Sequence, residues 1–191
     1  MGKAQALRSA LTLAAPLNGP VCPRCWIEAR IADGRYNGAL REIIHAFKYE
    51  GRRSLAAPLA TLLRERHGAA LADARCVVPV PLFPWRRLRR GFNQAADLAT
   101  ELDLPVVHAL WRVRPTATQT GLTAAERRRN VRGAFRISPV ISRAARARFL
   151  DGQVVVLLDD VMTTGATSNA CAHVLMQAGA REVRVVTLAR A

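Results

Sequence analysis

Apolar residues fall into two rhythms that alternate along this chain. Leu40, Ile43, Ile44 and Phe47 are spaced i, i+3, i+4, i+7, so they share one stripe and predict a helix over residues 37–47. A second helix is predicted from Ser54 to about Arg66, with Pro58 tolerated in its first turn and Gly68 as its stop. The rhythm then changes. Cys76 to Val80 and Pro105 to Leu110 read as strands on either side of a helix over 93–102, and Ala134 to Ile137 reads as a further strand. Val154 to Leu158 contains no polar position, which predicts a strand covered on both faces, over 153–159. Ala170, Cys171, Val174 and Leu175 give an apolar helix face stopped by Gly179, and 182–188 is the last strand. Strands alternating with helices in this order predict an α/β fold with a mostly parallel, doubly wound sheet.

The segment between the strand at 105–110 and the next helix interrupts both rhythms. Residues 112–122 are polar and rich in threonine, and loops of that size in a compact domain are usually functional or mobile. Thr123-Ala-Ala-Glu126 is a capping box that starts a short helix behind the loop. The chain contains no internal repeats.

Candidate chemistry gathers at the end of the buried strand. Asp159 and Asp160 close it, and Thr163-Thr164-Gly165-Ala166-Thr167 follow at the start of a helix. Ligands of open α/β sheets bind at the carboxyl edge of the strands, and the free amides of a helix N-terminus attract anions. Gly165 lets the backbone approach a phosphate closely, and Thr163, Thr164 and Thr167 add hydroxyl donors. The carboxylates suit something else: they accept hydrogen bonds from vicinal hydroxyls and help hold Mg²⁺ largely through ligand and water. A phosphorylated sugar fits both halves. The chain has no Gly-x-x-x-x-Gly-Lys-Ser/Thr run, which argues against a nucleoside-triphosphatase phosphate loop.

Composition adds bounds. At 191 residues and 50% hydrophobic, the chain suits one α/β domain with a small appendage. Mean hydropathy is +0.05 and no apolar run is long enough to cross a bilayer. Leu7 to Leu17, behind Lys3 and Arg8, faintly imitates a secretory leader. The net charge of +15 comes from 29 basic against 14 acidic residues. It clusters at Arg86, Arg87, Arg89 and Arg90, at Arg127, Arg128, Arg129 and Arg132, and at Arg143, Arg146 and Arg148. Such fields concentrate polyanions, while the third cluster reads as a solvated face. Cys76 and Cys171 sit among apolar residues and read as core. Cys22-Pro-Arg-Cys25 supplies half of a tetrahedral zinc site with no second pair to complete it. Three readings stand for it: a turn or unmetallated remnant, a zinc site with ligands from elsewhere, and a redox pair.

Residues 154–167 closely resemble the phosphoribosyl-pyrophosphate (PRPP) motif of type I phosphoribosyltransferases. Further segments narrow the resemblance: Lys48; Val78-Pro-Val-Pro81 leading into Arg90-Gly-Phe-Asn-Gln94; and Gln119-x-x-Leu122 leading through Glu126-Arg127 and Asn130 to Gly133-Ala-Phe135. Together they resemble the ComF (competence protein F) family over residues 35–191. The resemblance implies a type I phosphoribosyltransferase core at 73–191, a helical hood at 34–72 and an N-terminal segment at 1–33. Family members commonly begin with two Cys-x-x-Cys pairs. This chain has only Cys22 and Cys25, so a zinc site would be incomplete.

The resemblance also implies roles. Asp159 and Asp160 would hold the ribose and Mg²⁺ near the reacting carbon, and Thr163 to Thr167 would anchor the 5′-phosphate. Arg87, Arg90, Asn93 and Gln94 would face the diphosphate. Residues 112–130 would form a lid, with Gln119, Arg127 and Asn130 as contacts and Arg127 as a catalytic group. Lys48 either reaches the diphosphate from the hood or caps a helix. Tyr36, Phe47 and Tyr49 are possible stacking surfaces for an acceptor, and Phe92 reads as core. The implied function is Mg²⁺-dependent transfer of phosphoribosyl from PRPP to an acceptor the sequence does not identify, with release of pyrophosphate and a link to DNA uptake. The alternative is a non-catalytic, PRPP-responsive adaptor for single-stranded DNA or competence partners, although 5% aromatic residues are few for a stacking platform. PRPP is a cytosolic metabolite, so a cytoplasmic location is expected. A second copy of the chain, as in a homodimer, completes the expected partners.

Overall fold

The unbroken apolar run at 154–158 forms the middle of a three-stranded parallel sheet in a computed structural model that describes residues 38–83, 91–115 and 123–190. In chain order the described elements are α1 (Gly38–Tyr49), a 3₁₀ turn (Arg53–Leu55), α2 (Ala56–Leu71), β1 (Cys76–Pro79), α3 (Gln94–Thr100), β2 (Leu110–Arg112), α4 (Ala124–Val131), β3 (Phe135–Ile137), α5 (Arg143–Phe149), β4 (Val154–Met162), α6 (Ala166–Gln177) and β5 (Glu182–Arg190). The sheet order is β1-β4-β5, and β2 pairs antiparallel with β3 in a separate two-stranded sheet.

Two apolar layers cover the parallel sheet, which is why its strands lack polar alternation. Val77, Val156, Leu158, Val186 and Leu188 face one layer with α1, α2 and α3. Cys76, Val78, Val155, Leu157, Val183 and Val185 face the other, with α6, Leu110 and Phe135. The predicted stripe of α1 behaves as expected: Leu40, Ile44 and Phe47 are buried and Ile43 packs beside them. At the opposite end of the sheet from the acidic pair, the Arg184 guanidinium clasps Asp73 and Glu182, with Nε 2.7 Å from Glu182 Oε1.

Several sequence expectations need adjustment. Gly68 does not end α2, because the helix kinks at His67 (φ −117°, ψ 20°) and continues until Ala70 and Leu71 reach the core. The strand expected over 105–110 is reduced to a parallel bridge between Val106 and Val77. Leu110–Arg112 instead turns away to pair with Phe135–Ile137. β4 runs past residue 159 to Met162, because β5 continues beside it to Arg190. α5 was not anticipated, since its three arginines and its alanines carry no apolar stripe. Ser142 caps it by accepting from Ala145 N, and Arg143, Arg146 and Arg148 are exposed. Phe47 is fully buried, which removes it as a stacking surface, whereas Tyr49 is 57% exposed. Cys22, Cys25, Tyr36, Arg87, Arg90 and Gln119 lie outside the described residues.

The sheet's central position gives a stability test. Leu157 is fully buried in β4 within the layer under α6. Leu157→Ala should cost about 2–5 kcal/mol of unfolding free energy with an unchanged denaturant slope, read from urea titration. A cost below about 1 kcal/mol would mean that this layer is not closely packed.

Candidate functional site

β4 is paired unequally on its two sides, and this leaves the acidic pair partly buried at the open edge of the sheet. β1 follows it only as far as Pro79 opposite Leu158, with one more bond from Val80 N to Leu158 O at 2.9 Å. β5 continues opposite Asp159, Val161 and Met162. Asp159 and Asp160 therefore lie where one neighbour has stopped and the other supports the backbone. Local hydrogen bonds hold their side chains: Asp159 Oδ1 accepts from Asp160 N at 2.9 Å, and Asp160 Oδ1 accepts from Val161 N at 2.6 Å.

Beyond Met162 the chain turns into α6 through Gly165, whose φ of 71° is left-handed and suits glycine. Gly165 is the N-cap and offers no side chain to the helix amides. The first bond along the helix runs from Asn169 N to Gly165 O at 2.8 Å, so helix geometry leaves the amides of residues 166–168 facing outward. They border a small pocket of about 80 Å³ lined by Asp159, Val161, Met162, Thr163, Gly165, Ala166, Thr167 and Ser168. That volume is far below the roughly 300–1,000 Å³ of clefts that enclose a drug-sized ligand, and suits one tetrahedral oxyanion. Ser168 borders the pocket, and its buried Oγ has no hydrogen-bond partner among the described residues. An orphaned hydroxyl is costly there unless a ligand satisfies it.

The predicted site residues separate into groups. Asp159, Thr163, Gly165, Ala166 and Thr167 share the pocket, while Thr164 is exposed beside it. Lys48, in the last turn of α1, reaches the acidic pair: its Nζ lies 3.0 Å from Asp160 Oδ1. Asn93 and Gln94 have fold roles. Asn93 caps α3 by accepting from Ala95 N and donates to Val80 O, while buried Gln94 donates to Lys48 O. Asn130 is partly buried in α4, which packs against α6. The Arg127 side chain lies outside the described residues. The predicted capping box of α4 is present, with Thr123 N 2.7 Å from Glu126 Oε2.

Two contributors escaped the sequence reading. Ser168 follows the Thr-Gly-Ala-Thr run by one residue and could have been found by extending the helix N-terminus one position. Arg112 is buried at the end of β2 with its guanidinium 5.3 Å from the Phe135 ring centre. Its signal was a charge inside the otherwise apolar strand Leu110–Arg112.

Electrostatics binds these groups together. Burial first, and then the Asp160 charge, push the Asp159 carboxyl up to about 7, against the opposing pull of Lys48, the Asp160 backbone N–H and Arg112. Burial also pushes the Cys171 thiol well up, with Asp159 adding to the effect, so it stays protonated and apolar.

Because the folded value for Asp159 exceeds the ordinary 3.8, the folded state holds this proton more tightly than the unfolded chain. The associated stability is complete below about pH 4 and is lost as pH rises through about 7. Melting temperatures of the wild type should therefore decline across that window relative to Asp159→Asn, which cannot titrate. Parallel profiles for the two proteins would contradict the burial of this carboxyl.

Comparison with known proteins identifies the family. Residues 88–191 match the family described as phosphoribosyl transferase domain. Competence protein F of Haemophilus influenzae is 36% identical over 170 residues, covering 83% of this chain and 71% of that protein. DNA utilization protein YhgH of Escherichia coli K12 is 36% identical over 168 residues, covering 81% of this chain and 69% of that protein. With a phosphoribosyl transferase match over more than half its length and relatives of this identity along most of theirs, the chain belongs to the competence protein F family of phosphoribosyl transferase-domain proteins.

Proposed function

We propose that the chain binds PRPP with Mg²⁺ and transfers its phosphoribosyl group to an acceptor, releasing pyrophosphate. The observation that carries this reading is one pocket with two chemistries: a partnerless buried Ser168 hydroxyl at the N-terminus of α6, and a carboxylate, Asp159, on the same wall. A phosphate suits the first and sugar hydroxyls suit the second. A phosphosugar is the ligand class that uses both at once.

The donor set also fits Mg²⁺. Among the described residues no three His, Cys, Asp or Glu side chains converge. Two carboxylates make a poor cage by themselves and suit a cation that shares its remaining oxygens with a diphosphate and water. When bound, Mg²⁺ would neutralise charge building on the departing diphosphate. The remaining work falls to the chain. Asp159 and Asp160 would orient the ribose and place negative charge beside the carbon where positive charge develops. The loop from Thr163 to Ser168 would fix the 5′-phosphate. Closure of residues 112–130, whose returning helix α4 rests on α6, would exclude water from the reacting sugar.

A second reading, a PRPP-responsive adaptor for single-stranded DNA, draws on two observations. Arg143, Arg146 and Arg148 are exposed on α5, and relatives carry the names DNA utilization protein and competence protein. This reading keeps the same pocket but makes occupancy a signal instead of a reaction.

Calorimetry with Mg²⁺ and PRPP should detect binding below millimolar ligand, and Asp159→Asn/Asp160→Asn should abolish it; affinity retained in the double variant would move the site elsewhere. Affinity should rise as pH passes through about 7, because Asp159 must shed its proton to serve hydroxyls and metal. To separate the readings, Mg²⁺-dependent pyrophosphate release would be screened across nucleobases and other nucleophiles alongside a salt-titrated single-stranded DNA assay. Release with one acceptor favours the enzyme, whereas salt-dependent DNA binding without release favours the adaptor.

A further inference from the structure

The ion pair between Lys48 and Asp160 occupies one of the two carboxylates that the PRPP reading assigns to the ligand. Lys48 Nζ is 3.0 Å from Asp160 Oδ1, and both side chains are only 15% exposed. The backbone beneath Lys48 is held firmly. Its carbonyl accepts from Nε2 of Gln94 at 3.3 Å, Gln94 is almost wholly buried, and the preceding Phe47 packs 6.2 Å from Phe92. The four-carbon stem is thus a movable arm on a fixed base. Nearby acids are already engaged. Glu50 is 3.0 Å from Arg52 Nε, and Asp97 is 2.7 Å from Arg53 Nε. An ammonium displaced from Asp160 would find no unengaged carboxylate beside it among these residues.

We infer that Lys48 is a resident counter-cation that keeps a bare divalent ion out of the acidic pair and admits the metal only together with the sugar diphosphate. The identity of that second ligand rests on the PRPP reading above. The physical argument is a comparison of two arrivals. A divalent ion arriving alone must take Asp160 from the ammonium and leave the two cations a few ångströms apart, with only the neighbouring Asp159 carboxyl to offset their repulsion. A metal arriving on a diphosphate brings anionic oxygens to which the arm can turn, so Lys48 exchanges one anionic partner for another. The competition is centred on Asp160, the carboxylate that the ammonium touches.

The test uses the full chain and Mn²⁺ alone as the probe, with free Mn²⁺ read by electron paramagnetic resonance. Lys48→Gln should bind Mn²⁺ at least about tenfold more tightly than the wild type, Lys48→Arg should stay within about twofold of it, and adding Asp160→Asn to Lys48→Gln should remove the gain. Lys48→Met, which keeps most of the apolar stem, takes the place of the Gln variant if thermal melts show that Gln disturbs the fold. Equal Mn²⁺ affinity in the wild type and in a folded, uncharged variant overturns the inference. A separate titration with Mg²⁺ and PRPP keeps the two claims apart. PRPP binding without a Mn²⁺ gain refutes the role of Lys48 and leaves the ligand reading standing, whereas a Mn²⁺ gain in a protein that ignores PRPP supports Lys48 and refutes the ligand.

Discussion

The site depends on one constraint: a strand buried on both faces whose two neighbours end at different points. β4 needs backbone partners while it runs through the apolar interior, and β1 and β5 provide them as far as Leu158. Beyond that residue β1 is gone and β5 remains. The strand can therefore carry two carboxylates on a backbone that is still supported, at a place that a ligand can reach. Were β1 as long as β5, the same acids would sit in the sheet interior, where charged groups are hard to sustain.

Charge compensation follows from that placement. Burial pushes the Asp159 carboxyl up to about 7, and Asp160 stays near an ammonium that comes from α1. Arg112 adds a buried positive charge from the far sheet. The free protein thus holds its acidic pair with little net negative charge, although the sequence places two aspartates side by side. This is a different state from one poised to grip a cation, and under the proposed reading proton loss and lysine movement would be part of ligand entry.

Legibility in the sequence tracks the range of each interaction. The α1 stripe, the buried character of β4 and the capping box of α4 depend on spacing within a few residues, and all three could be read directly. The strand limits could not. β4 reaches Met162 because a strand more than twenty residues later continues beside it, and the segment at 105–110 shrinks because Leu110 to Arg112 finds an antiparallel partner instead. The kinked extension of α2 has the same origin in the distant core that receives Leu71. In the site, the Asp-Asp and Thr-Gly-Ala-Thr runs announced themselves because each needs its residues contiguous. Lys48 was ambiguous until the fold brought it within 3.0 Å of Asp160. Ser168 became meaningful only once its hydroxyl was seen to be buried without a partner.

The two apolar layers have a further consequence. The Lys48 arm is mounted on the layer containing α1 and α3, while the glycine-led turn and Ser168 belong to the helix packed in the other layer. The sheet lies between them. Under the proposed reading, sequence drift in one layer would remodel how a ligand's distal groups are received while the grip on its phosphate end is inherited unchanged. Such a division would let descendants of one fold trade acceptors, or lose turnover and keep recognition, without rebuilding the anchor.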